Sequence, residues 1–311
     1  MKVRRLGGSG LKISEVGLGC NNFGMRIGQE ESTAVVDAAI EAGINFFDTA
    51  DIYGGAQSEV MLGKALGDRR QGVVVATKFG MAMTGAPYQR GGSRRWIMQA
   101  VDDSLRRLGT DYIDLYQMHQ PDLDAPLEET LRALDDVVRA GKVRYIGNSN
   151  YAGWQIADAD WTAKAGGFSR FVSAQNLYSL LERGIENEVL PACDRFGLGQ
   201  LPYFPLASGL LTGKYQRGAP APEGTRLAAW GSHGAKSLSD RNFDKIEALS
   251  AYAEAHGHTI LDLAFAWLLA NPVVSSVIAG ATRPEQVKAN AAAGAWSLTP
   301  QEAAEVSALV A

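Results

Sequence analysis

A chain of 311 residues, 46% of them hydrophobic, is long enough to bury roughly three quarters of its unfolded surface, as one large domain or two small ones. Its 30 Lys and Arg are interspersed with 34 Asp and Glu for a net charge of −4, a balance that argues against a nucleic-acid partner. Cys20 and Cys193 stand far apart, without metal-ligand spacing, and no leader or membrane-length apolar run is visible, so a cytoplasmic protein with no membrane partner is expected.

The chain opens with two short β-rich runs, 2–6 and 11–13, around the cluster Gly7-Gly8-Ser9-Gly10, which predicts a small hairpin. From Val16 onward β-rich runs alternate with helical patterns. Val36, Ala39 and Ile40 share one helical face before Gly43. Ile97, Val101, Leu105 and Leu108 do the same, and Leu127, Leu131, Leu134 and Val138 repeat it between Pro126 and Gly141. Candidate strands fall at 16–19, 44–47, 73–77, 113–118, 143–147, 171–175, 200–203 and 276–278. Parallel strands in that number, separated by helices and undivided by any linker, predict a (β/α)8 barrel over 1–311, an α/β fold of the TIM type with the hairpin in front. The stretch 216–241, rich in Gly, Pro, Ala and Ser, reads as an irregular loop over the barrel mouth.

Three of the strand runs hand over to an ionisable residue: Asp48, Lys78 and His119, with Tyr53 five residues beyond the Asp. Barrel active sites form at the carboxyl ends of the strands, so these groups are expected to converge. A Lys held by a buried Asp would lower the pKa of a neighbouring phenol, making Tyr53 a proton donor for a developing alkoxide, while a histidine orients the carbonyl oxygen. Carbonyl reduction is the chemistry this predicts. Taken singly, each residue also has a packing explanation; four together are harder to explain that way.

These residues, with Gly43-Ile-Asn-Phe-Phe-Asp-Thr-Ala50, Leu108-Gly-Thr-Asp-Tyr-Ile-Asp-Leu115, Gly141-Lys-Val-Arg-Tyr-Ile-Gly147 and Leu206-Ala-Ser-Gly-Leu-Leu-Thr-Gly-Lys-Tyr215, make the chain resemble the aldo-keto reductases over nearly its whole length. The resemblance implies hydride transfer between NADPH/NADP+ and a small carbonyl substrate. Tyr53 would be the general acid, or the base in the oxidative direction, tuned by Lys78 and Asp48, with His119 positioning the substrate oxygen. It also implies cofactor contacts at Gly19, Cys20 and Asn21 in the first-strand loop, at Asp48, and at Ser149, Asn150 and Gln175 around the nicotinamide amide. Tyr203 would stack on the nicotinamide, followed by Phe204, Pro205, Leu206, Ser208, Gly209, Leu211, Gly213 and Lys214 along the pyrophosphate. Gly280, Thr282, Arg283, Gln286 and Asn290 would hold the adenosine end, with Arg283 on a 2′-phosphate. Phe204 stands where family members commonly have Ser, and Gln286 where many have Arg.

Phe79 and Trp230 are expected beside Tyr53 and His119 in the substrate pocket. Trp96, Trp154, Trp161, Trp267 and Trp296 fall in helical patterns and read as packing residues. Arg90, Arg94 and Arg95 read as a solvated basic loop. Gly17-Leu-Gly19-Cys-Asn-Asn22 lacks the third glycine of a dinucleotide fingerprint, and His256-Gly-His258 follows a helical run, where two such imidazoles diverge, so no metal site is expected. Potassium-channel β-subunits share the barrel, the tetrad and the nicotinamide site. A regulatory binding subunit is therefore the alternative, disfavoured here because no long N-terminal extension precedes the hairpin.

Overall fold

The computed structural model describes residues 1–86 and 88–310. Strands β1 (Val3–Arg5) and β2 (Lys12–Ser14) form the antiparallel hairpin. Leu6 and Ile13 at its base pack with Phe46, Val74, Leu115 and Leu201, plugging the barrel floor. Arg4 fastens the hairpin by pairing with Glu15 at 2.7 Å and donating to the carbonyls of Leu269 and Val274.

Eight parallel strands follow: β3 (Val16–Gly19), β4 (Phe46–Asp48), β5 (Val74–Phe79), β6 (Ile113–Met118), β7 (Val143–Ser149), β8 (Phe171–Gln175), β9 (Gly199–Gln200) and β10 (Val277–Gly280). They are ordered β10-β3-β4-β5-β6-β7-β8-β9, so chain neighbours are sheet neighbours and β10 returns to β3. The seam lies just ahead of β10, where Gln200 N donates to Val273 O and Ser275 N to Gln200 O. This is the (β/α)8 barrel. The run expected at 200–203 is cut to two residues because Pro202 has no N–H for the ladder. Asp48 is the last residue of β4 and His119 follows β6 directly, as expected, while Lys78 is the last residue but one of β5, paired with Gln117.

Helices α1 (Gln29–Glu41), α2 (Gln57–Leu66), α3 (Arg94–Leu108), α4 (Leu127–Arg139), α5 (Gly153–Gly166) and α6 (Val189–Phe196) cover the first strands. In α3, Ser93 caps the start, Gly109 ends the helix in the left-handed region, and Trp96, Ile97, Ala100, Val101, Ser104 and Leu108 turn inward. Pro126 caps α4 from outside instead of joining its first turn.

Residues 216–241 are not wholly irregular. They include α7 (Arg226–Ala229), capped by Thr225, and α8 (Ser232–Ser237), ahead of α9 (Asp240–Ala255). Helices α10 (Ile260–Ala270), α11 (Pro284–Ala293) and α12 (Pro300–Ala308) complete the chain. Trp96 and Trp267 are buried as expected, whereas Trp154 and Trp161 face solvent on α5; Trp296 lies beyond α11 but packs partly buried against the core. His256 caps α9 and His258 lies past it, its ring stacked on Trp296, so neither imidazole sits within a helix. Among the described residues no helix is long and apolar enough to cross a membrane.

Candidate active site

At the carboxyl ends of the strands a cavity of about 870 Å³ opens, within the size range of small-molecule sites. Asp48, Tyr53 and His119 line it. Lys78 stands just behind, fully buried, and spends its three protons on Asp48 Oδ2 (2.6 Å), the Thr49 carbonyl (2.7 Å) and the Tyr53 hydroxyl (3.4 Å). Asp48 Oδ1 in turn accepts from the amides of Gln175 (3.0 Å) and Gln117 (3.4 Å), and Gln117 accepts from Ser173. Gly147 makes room for this layer, since a Cβ there would lie 2.1 Å from Ser173 Oγ.

The ionisations differ from the sequence expectation in one respect. Burial raises the Tyr53 pKa above its ordinary value. Lys78 opposes this, and the Asp48 carboxylate bound to the same ammonium offsets part of that help. The phenol therefore stays protonated. For Lys78 the balance runs upward: burial lowers its pKa, and the Asp48 charge, with the hydrogen bonds to Asp48 and Tyr53, more than restores it. Burial, reinforced by Lys78, pushes His119 down to about 3, so its imidazole is neutral at physiological pH. Its Nδ1 is buried without a partner among the described residues, which leaves Nε2 as the atom facing the cavity, and the ring meets Tyr53 edge-on at 5.7 Å.

Away from this cluster the cavity extends as a groove. Gly19, Asn21, Ser149, Asn150, Gln175, Tyr203, Phe204, Pro205, Leu206, Ser208, Gly209, Lys214, Gly280, Thr282, Arg283, Gln286 and Asn290 all line it. Asn150 donates to the His119 carbonyl and accepts from Tyr203, tying the ring to the acid–base cluster. Phe204, Ala207 and Ser208 hold positive φ angles of 50°, 45° and 59°, a strained run of the kind that collects at ligand-binding segments. Gly209, at φ +95°, lets the Lys214 ammonium pass where a Cβ would meet it at 2.5 Å. Burial and the charges of Arg26, Arg226 and Arg283 all lower the Lys214 pKa, so four cations crowd one groove.

Several expected contacts stand off the wall. Phe79 is fully buried and stacked on Tyr116: Lys78 points into the barrel, so its neighbour must point out. Cys20 and Leu211 are buried in the outer core, Gly213 forms the turn after 207–212, and Trp230 packs edge-on against Phe204, half exposed. Arg94 and Arg95 open α3 instead of lying in the loop before it, Arg94 pairing with Asp136 and Arg95 stacking on Tyr88.

Other wall residues were not anticipated. Met81 and Gln120 lie on the acid–base side, and Arg26 and Arg226 reach over the groove, one bonded to the Gly224 carbonyl, the other to Asn22. Gln117 was readable, because it lies two residues before His119 and shares its face of β6. The arginines carry no such periodic signal.

The fold and this cluster define an eight-stranded barrel whose mouth carries a cationic groove leading to a set of buried ionisable groups. The sequence model of the Aldo/keto reductase family matches residues 15–311, and the chain belongs to that family. It is 39% identical over 299 residues to an uncharacterized oxidoreductase, YrpG, of Bacillus subtilis, covering 93% of this chain and 89% of the relative. A probable voltage-gated potassium channel subunit beta of rice, Oryza sativa, is 38% identical over 296 residues (93% and 90%), and the versiconal hemiacetal acetate reductase of Aspergillus parasiticus is 35% identical over 334 residues (97% and 95%). The chain is thus an oxidoreductase of a family whose general activity is NAD(P)H-dependent reduction of small carbonyl compounds.

Proposed function

We propose that this chain works as a single barrel domain over 1–311 that reduces aldehydes and ketones with NADPH, with Tyr53 as the proton donor. The observation that carries this reading is the protonated Tyr53 hydroxyl beside the buried Lys78–Asp48 pair and the neutral His119, all at one end of the cavity. Nicotinamide, when bound, supplies the hydride. The chain's part is to place the carbonyl oxygen between His119 Nε2 and the Tyr53 hydroxyl and to pass the phenol's proton to it. Lys78 steadies the phenolate left behind, and Asp48 keeps Lys78 charged and aimed. Ser149, Asn150 and Gln175 offer amide and hydroxyl partners to a carboxamide, and Tyr203 a stacking face.

The four groove cations fit a dinucleotide carrying a third phosphate. Arg283, at the start of α11, has the fork geometry for it, and the helix N-terminus adds to the attraction. Arg283→Ala is expected to weaken NADPH binding by about 1.5–3 kcal/mol, roughly tenfold or more, with little change for NADH. An unchanged ratio of the two dissociation constants would remove the assignment. Cys20 and Cys193, both buried free thiols, are consistent with a cytoplasmic location.

The potassium-channel name of the rice relative supports a second reading, a regulatory subunit that holds the cofactor without turning over. A panel of aldehydes mixed with NADPH and the protein separates the two. Steady loss of NADPH absorbance is the expected result; none across the panel would favour the binding role.

A further inference from the structure

Close behind the acid–base cluster lies a second set of ionisable groups that the proposed chemistry does not use. Asp51 is 1% exposed, and neither of its carboxyl oxygens has a hydrogen-bond partner among the described residues. Its backbone N–H donates to the Lys78 carbonyl at 3.1 Å, so it joins the 48–53 segment to β5 at the residue that grips Asp48. The nearby cation is already committed. Arg107 of α3 bonds Glu59 Oε2 at 2.6 Å and Ser104, while Glu59 of α2, fully buried, also accepts from Thr77 of β5. Lys78 has its three protons engaged elsewhere, and the Tyr116 hydroxyl of β6 is buried and also lacks a partner among the described residues. The charged and titratable groups that Asp51 senses are therefore Glu59, Arg107, Lys78, Tyr116 and, on its own loop, Tyr53.

An ionised Asp51 here would be a buried charge without a counter-ion beside a second carboxylate, an arrangement that costs far more than a protonated acid. We propose that Asp51 is a positioning residue that serves as a neutral carboxylic acid, holding the 48–53 segment against β5 so that Tyr53 meets Lys78, and that losing its proton loosens that segment. The proposal rests on the reading of Tyr53 as proton donor for its effect on turnover, but its protonation state stands apart from that reading. Burial, then the Glu59 charge, raise the Asp51 carboxyl to about 8, against weaker opposite pulls from Arg107, the backbone at Ile52 and Lys78. An unfolded Asp ionises near ~3.9. Between these values the folded chain holds a proton that the unfolded chain has released. The stabilisation is thus complete below the unfolded value, shrinks as pH rises, and is gone above the folded one.

Asp51→Asn mimics the neutral acid and supplies the test. Infrared difference spectra at neutral pH should show a protonated-carboxyl carbonyl band in the native protein that the variant lacks. Calorimetric unfolding at about pH 6.5, in buffers of different ionisation heat, should release about one proton more from the native protein than from the variant. The alkaline fall of kcat for carbonyl reduction should move to higher pH in the variant, with KM for NADPH unmoved. Equal proton release and an unmoved alkaline limb would overturn the proposal. Should the variant not fold, a carboxyl band in the native protein that fades as pH rises through the Asp51 value supports it, and no such band overturns it. If Tyr53→Phe instead proved active, the Tyr53 reading would fail while the band and the proton count still decided the state of Asp51.

Discussion

Replacing Tyr53 with Phe is expected to lower kcat for aldehyde reduction by about 10²–10⁴-fold, the range for loss of a positioned general acid, while leaving NADPH affinity nearly intact. The ring would stay in place. It meets His119 edge-on and lies under the Lys78 ammonium at 5.0 Å, contacts that need no hydroxyl. What is lost is the only proton in the proposed mechanism that reaches the carbonyl oxygen. Because burial keeps the Tyr53 pKa above its ordinary value, reduction should run unimpaired through neutral pH, and alcohol oxidation, which needs the phenolate, should gain with rising pH. His119, neutral down to about pH 3, should add no acid limb near its usual pKa. Steady-state rates in both directions across pH, with cofactor titration by fluorescence, check all of this. Reduction retained at native rates in the Phe variant would move the proton donor elsewhere.

Much of this site was legible in the chain because barrels translate sequence spacing directly into position. Asp48, Lys78 and His119 each follow an apolar run, and eight such runs fold so that their ends share one rim. The same periodicity, applied one residue further, would have placed Phe79 outside the barrel and Gln117 within it. What spacing cannot carry is the environment of each group. Lys78 was expected to lower the Tyr53 pKa, yet the sequence does not reveal how far the phenol is withdrawn from water, or that Asp48 takes up the same ammonium. Arg26 and Arg226 meet the groove only because the loop ahead of α1 and the start of α7 reach across it, a tertiary fact without a local pattern. The short helices in 226–237 were missed for a related reason. Their Gly, Ala and Ser content reads as loop, and packing decides such brief turns.

The Lys78–Asp48 pair gives the largest expected effect on stability. With side chains 0% and 6% exposed and 2.6 Å apart, it is a buried ion pair, and removing one partner strands the other charge. Lys78→Met keeps the bulk of the aliphatic stem and should cost about 3–5 kcal/mol in unfolding free energy, together with loss of turnover. Two amide donors, Gln175 and Gln117, remain on Asp48 Oδ1, so the loss should fall short of complete unfolding. Adding Asp48→Asn to Lys78→Met removes the stranded carboxylate while keeping an oxygen to accept from those amides. The double variant should therefore recover much of the stability lost by Lys78→Met, and denaturant titration of the four proteins in the cycle measures the coupling. Strictly additive losses would mean that the two charges do not depend on each other. Turnover should stay lost in the double variant even where folding is restored, because no ammonium remains to steady the Tyr53 phenolate. Stability and catalysis would then part company at one salt bridge, the result that distinguishes a pair kept for chemistry from one kept for the fold.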